Sequence, residues 1–287
     1  MSVNLSSINF YLISGIECFI TRPATLVFIT FYITNILLLL PLCIFILYLG
    51  LQQRRSTSTA AMTSHSDSFT YHMVAMELIG VFGCILILCG LYRDHVIVSF
   101  VGFCLWSFTW YGETYFQILT CVERYLAVVH PITYLSLRRE RGIRIRNISI
   151  GCIWLICFGE TSLMTLENVC LIIDFSLLIF SLIIISFCSL SVLCVLIRPG
   201  PGEQGRERER VDQSKQRAFY TIVAILGVLL LRCVWNLVLG VLTMSIGNSY
   251  CVMMSCGLWF NLPGSLVLPL HFLHRAGTLW CRKNNAT

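Results

Sequence analysis

Residues 24–50, ATLVFITFYITNILLLLPLCIFILYLG, contain no charged side chain, and none occurs anywhere between Arg22 and Arg54. About 20 apolar residues, rising 1.5 Å each in a helix, cover the ~30 Å hydrocarbon core of a bilayer. This stretch is therefore long enough to cross one. Working outward, the same test finds six more stretches: 71–92, interrupted by Glu77; 96–122, interrupted by Glu113; 147–166, with Glu160 near its end; 175–197; 218–244, interrupted by Arg232; and 250–273. The last two share a run without formal charge from Cys233 to His274, divided by the turn Gly247-Asn248-Ser249. The expected fold class is all-α, a seven-transmembrane helix bundle over residues 24–273. A short segment, 1–23, precedes it and a short tail, 274–287, follows.

The composition points the same way. Of 287 residues, 57% are hydrophobic and only 12% charged, where soluble domains carry about 25% charged residues; the mean hydropathy is +0.80. That balance excludes a disordered chain, a nucleic-acid binder and most soluble enzymes. Most of the 15 cysteines sit inside apolar runs, among them Cys84, Cys121, Cys152, Cys157, Cys188 and Cys194. There they read as small buried hydrophobes. Lys and Arg in short loops mark the cytoplasmic side. Of 20 basic residues, 17 fall on one side of the expected bundle, the exceptions being Arg22, Arg93 and Arg232. The N-terminus is then outside and the C-terminus cytoplasmic. Residues 1–20 lack the basic start and small-residue cleavage site of a signal peptide, so the first span is read as its own insertion signal. Asn4-Leu5-Ser6 is a glycosylation sequon on the expected outer side.

At the inner end of the third span stands Glu123-Arg124-Tyr125, followed by Leu126-Ala127-Val128-Val129-His130-Pro131. With seven spans, an outer N-terminus, Asn35 in the first span, Trp154 in the fourth and Pro269 in the seventh, this motif resembles the rhodopsin-like family of G-protein-coupled receptors. The resemblance covers about residues 24–282. It implies that Arg124 is a switch held by Glu123 at rest and turned toward a heterotrimeric G-protein on activation. An Arg cannot deprotonate, and in a dry crevice it needs an oxygen partner. The simpler reading is that Arg124 anchors the helix at the headgroups, where long cations snorkel.

The chain also departs from the family pattern. Glu77 stands where an Asp is usual, Leu268 where an Asn is usual, and Arg232-Cys233-Val234-Trp235-Asn236 replaces Cys-Trp-x-Pro. The seven prolines, at 23, 41, 131, 199, 201, 263 and 269, leave spans two to six with none. Proline is the usual cause of a sharp helix kink, so the pivots that the family places in helices five and six are missing. The family also bridges the top of span three to the second outer loop. Cys104 with Cys170 is the candidate pair here, and Cys18 with Cys251 a second.

Three ionisable residues, Glu77, Glu113 and Arg232, lie inside spans, where a lone charge costs roughly 2.5–3.5 kcal/mol and should face the interior and pair. Their depths match: Glu113 precedes Arg124 by about 16 Å of helix and Arg232 follows Arg217 by about 22 Å. The expectation is that Arg232 bridges Glu77 and Glu113, standing where the family commonly holds a sodium ion.

The outer loops are short, about Glu167 to Asp174 between spans four and five. A ligand should therefore be small or lipidic and enter between the helices. Trp106, Trp110, Tyr111, Trp235 and Trp259 are candidates to line its cavity, although aromatics at helical spacing are more often packing. Inside, the basic loop Arg138 to Arg146 can meet anionic lipid or a G-protein, and Cys281 beside Arg282 and Lys283 suits palmitoylation. The expected function is that of a G-protein-coupled receptor in the plasma membrane, with the bilayer, a G-protein and an unidentified ligand as partners. The alternative is a protein of receptor fold that no longer couples and serves as a decoy or partner of another receptor. A channel or transporter is a third class, without the inverted repeat it should show. The chain carries no enzyme motif and calls for no cofactor or metal.

Overall fold

The computed structural model describes residues 23–56, 65–137, 140–163, 167–197, 216, 219–235, 238, 250–267, 269–270 and 272–273. Asn4, Cys18, the turn at 247–249, the basic residues between 198 and 215, and Cys281 lie outside the described residues, as do the side chains of Cys170 and Cys251. The helices are α1 (Ala24–Ser56), α2 (His65–Tyr92), α3 (Val96–Val129), α4 (Pro131–Leu137), α5 (Glu140–Leu163) and α6 (Glu167–Ile197). They continue with α7 (Phe219–Trp235) and α8 (Tyr250–Trp259). Among the described residues every regular element is helical. Inside a bilayer no water can satisfy a backbone amide, and a helix satisfies its amides internally.

Five of these helices are long and apolar enough to cross a membrane: Ala24–Gln52, Ser68–Tyr92, Val96–Val129, Gly142–Leu163 and Ile173–Val195; Phe219–Trp235 is a shorter apolar helix. Several helices overrun the spans expected from hydropathy. Apolar length marks only the part immersed in hydrocarbon, while the helical ladder runs on into water. One overrun is a correction. Glu167 to Asp174, read as an outer loop, forms the first two turns of α6. The seventh apolar run also differs from a continuous helix. It stops at Trp259, turns at Phe260 and Asn261, and resumes at 262. Pro263 supplies the reason, since it has no N–H and its ring crowds the carbonyl four residues back. The Gly264 N–H bonds instead to the Asn261 carbonyl at 2.9 Å.

α3 is the pillar. It packs on α2, α5 and α6, while α1 packs on α2 and α8. The α2–α3 contact is the closest of these because glycines face one another. A Cβ at Gly83 would lie 2.7 Å from the Gly102 carbonyl oxygen, and one at Gly102 would lie 2.6 Å from that of Gly83. Without a hydrophobic force to join helices in lipid, such backbone approach supplies the packing. Thr109 then donates across the seam to the Met76 carbonyl at 2.9 Å. On the other side, Phe108 packs on Trp154 and Phe158 of α5, with ring centroids 5.7 and 4.8 Å apart.

Gly151, on α5, has nothing within 4 Å of a Cβ built on it. Gly102→Val should therefore lower the thermal midpoint of the purified protein, by an overpacking cost of about 1–3 kcal/mol, while Gly151→Val leaves it nearly unchanged. Equal midpoints would refute the glycine seam.

Candidate functional site

Among the described residues the largest fully buried side chain is that of Arg232 on α7, 1% exposed. Its Nη2 donates to both carboxylate oxygens of Glu113, at 3.1 Å to Oε1 and 3.0 Å to Oε2, and to the Asn261 carbonyl at 3.1 Å. The same carbonyl accepts the Gly264 N–H at 2.9 Å and the Ser265 N–H at 3.4 Å. Glu113 takes two further donors: Gln117 Nε2 at 3.0 Å to Oε1 and Ser265 Oγ at 3.2 Å to Oε2. Gln117 lies one turn along α3 and also donates to the Gly264 carbonyl at 3.1 Å. Three segments thus meet in one buried polar knot: α3, α7 and the seventh apolar run. Gly264 makes room for it, because a Cβ there would run into both the guanidinium and the Glu113 carboxylate.

Glu77 does not share this bridge in the way expected. It is buried beside the knot, but its Oε1 has no hydrogen-bond partner among the described residues. The ion pair that forms is Arg232 with Glu113. The Arg232 Nη2 is taken up by the Glu113 carboxylate and the Asn261 carbonyl. Glu77 instead lines a cavity of about 20 Å³ with Asn35, Thr109, Glu113 and Ser265 among its walls. A polar cavity of that size holds about one water.

The aromatic candidates form packing. Trp106 and Trp259 both stand edge-on to Phe31, at 6.4 and 5.7 Å, and Trp235 stacks on Phe260 at 4.5 Å. Trp106 and Trp110 wall the same small cavity. Tyr111 has a separate role: its hydroxyl donates to Asp174 Oδ1 of α6 at 2.8 Å. One turn on, Tyr115 donates to Glu160 Oε1 of α5 at 2.6 Å. The sequence reading missed this pair of clasps. Its signal was two tyrosines four residues apart on one face of α3 and two acids, Glu160 and Asp174, within apolar surroundings.

At the far end of α3, Glu123 is buried and accepts the Tyr134 hydroxyl of α4 at 3.2 Å. Arg124 beside it is half-buried. The Tyr125 hydroxyl lies 3.2 Å from His130 Nε2. Cys104 stands as a free thiol, and its candidate partner Cys170 has a side chain outside the described residues. α3 begins at Val96, which puts Cys104 about 12 Å down the helix, on a wall shared with α2 and α5. No protein-family model matches the chain, and no curated protein matches it.

Two carboxylates in one neighbourhood should respond differently to neutralisation. Glu113→Gln leaves a buried guanidinium without its counter-charge and should cost about 3–5 kcal/mol. Glu77→Gln breaks no ion pair and should cost about 1 kcal/mol or less. Gly264→Ala should resemble Glu113→Gln. Thermal unfolding of the three purified variants checks the order, and equal losses for the two Glu variants would contradict it.

Proposed function

We propose that this multi-pass membrane protein is a seven-helix receptor of the rhodopsin-like kind, which passes a signal from a small or membrane-borne ligand to a heterotrimeric G-protein through Arg124. The observation that carries this reading is the arrangement along α3. One helix contacts α2, α5 and α6, holds the buried knot midway at Glu113, and ends in Glu123-Arg124-Tyr125 joined to the short helix α4 by the Tyr134–Glu123 bond. A helix so placed relays a shift between its ends. The basic bias supports a cytoplasmic position for that end; on this reading the N-terminus is outside and the chain lies in the plasma membrane.

A second reading is favoured by one specific feature. Arg232 ties α7 to α3 and to the seventh run, and α7 has no proline to pivot on. A protein so fastened suits an uncoupled partner or decoy of another receptor.

Basal activation of each major G-protein class, for wild type and Arg124→Ala at matched surface expression, separates the two. The receptor reading expects a wild-type signal that falls to the level of untransfected cells in Arg124→Ala. Signal retained in Arg124→Ala contradicts it, and background from both proteins favours the uncoupled reading.

A further inference from the structure

Two carboxyls share one guanidinium inside the bundle. Arg232 is ion-paired with Glu113, and its Nη2 also donates to the Asn261 carbonyl. Glu77, 2% exposed, is not a party to that pair. The charged and titratable groups around it are Cys43 on α1, Cys84 on α2, Glu113 on α3 and Arg232 on α7. We infer that Glu77 holds a proton. It stands in the fold as a neutral carboxylic acid, and the small cavity beside it is a proton site and not a cation site.

Three observations choose the proton. First, the charges do not balance without it. An ionised carboxylate isolated in an apolar interior is among the costliest groups to bury, and such a group is neutralised instead. The one guanidinium in the knot is already matched by Glu113. Second, the hydrogens must be counted. The Ser265 hydroxyl has a single hydrogen and donates to Glu113 Oε2 at 3.2 Å, yet the same hydroxyl also meets the Glu77 carboxyl. With its hydrogen turned to Glu113, Ser265 bonds to Glu77 only by accepting. A neutral acid has a hydrogen to give, and a carboxylate has none. Third, the space suits nothing larger. Glu77, whose Oε1 has no partner among the described residues, lines a cavity of about 20 Å³ whose walls include Phe31, Trp106 and Trp110. That is room for about one water, whereas a hard metal cation gathers about six oxygens. The Arg232 guanidinium also acts on Glu77 electrostatically, so it repels a second cation where the dielectric is low. A proton needs one oxygen. This inference is independent of the receptor reading.

Infrared spectroscopy of the whole purified chain at neutral pH tests it, since a protonated carboxyl shows a carbonyl stretch that a carboxylate lacks. The expected result is such a band in the wild type, moved to lower frequency in protein made with glutamate labelled by heavy carbon at its carboxyl. The isotope-shifted band should be lost in Glu77→Gln and retained in Glu160→Gln. A wild type without an isotope-shifted band, or a band that survives Glu77→Gln at full strength, overturns the proposal. If Glu77→Gln does not fold, Glu77→Asp decides the matter. It keeps an acid at the site, so the shifted band should give way to one that glutamate labelling leaves in place, and an unaltered shifted band overturns the proposal. The wild-type thermal midpoint gives an independent readout. Replacing sodium by the bulky cation N-methylglucamine at constant ionic strength should leave it unchanged. A midpoint that falls without sodium in the wild type, but not in the Glu77 variant, would show a cation on an ionised Glu77 and overturn the proposal.

Discussion

A guanidinium enclosed in a helix bundle within a bilayer has to be neutralised where it stands, and the other features of the interior follow from how Arg232 meets that demand. Its charge is met by Glu113 on α3. A carboxylate has more acceptor sites than one Nη2 can fill, so Gln117 and Ser265 complete it. The guanidinium in turn needs more than one acceptor, and the Asn261 carbonyl supplies another. That carbonyl takes the guanidinium beside the backbone N–H groups of Gly264 and Ser265, and Gly264 leaves the space in which the groups meet. A buried ion pair is weak evidence for stability compared with an apolar core of the same shape, yet removing one partner is costly. The knot therefore specifies which helices are neighbours more than it adds to their affinity.

α3 converts that local demand into an architecture. Its glycines let α2 approach to backbone contact, and Phe108 fastens it to α5. Tyr111 and Tyr115 reach acids on α6 and α5. Each hydroxyl gives a half-buried carboxyl a donor, where an orphaned polar group costs more than in water. The polar contacts of α3 thus lie at successive depths, on different sides of the helix.

Much of the fold was legible in the sequence because apolar length is a strong signal in a bilayer. The stretches at 24–50, 71–92, 96–122, 147–166 and 175–197 each coincide with a long apolar helix. Helix ends were less legible, since Glu167 to Asp174 carry acids and looked like a loop. The interior was legible in part. Depth arithmetic put Glu113 and Arg232 at one level, but it assigned Glu77 to the same bridge. Depth fixes height along a helix and leaves rotation about its axis open. The aromatic candidates were legible only as a face, because Trp106 and Trp259 find Phe31, a partner far away in sequence. For Cys104, spacing from Arg124 left the start of the helix open, and α3 begins at Val96.

The central claim is that Arg232 and Glu113 neutralise one another across the bundle. A double-mutant cycle on thermal or denaturant unfolding measures this directly, with Arg232→Leu, Glu113→Leu and the double variant in one detergent. The account predicts that each single change costs about 3–5 kcal/mol and that the double costs far less than their sum, because an apolar pair leaves no stranded charge. Additive losses would show that the two groups do not depend on one another, and would contradict it.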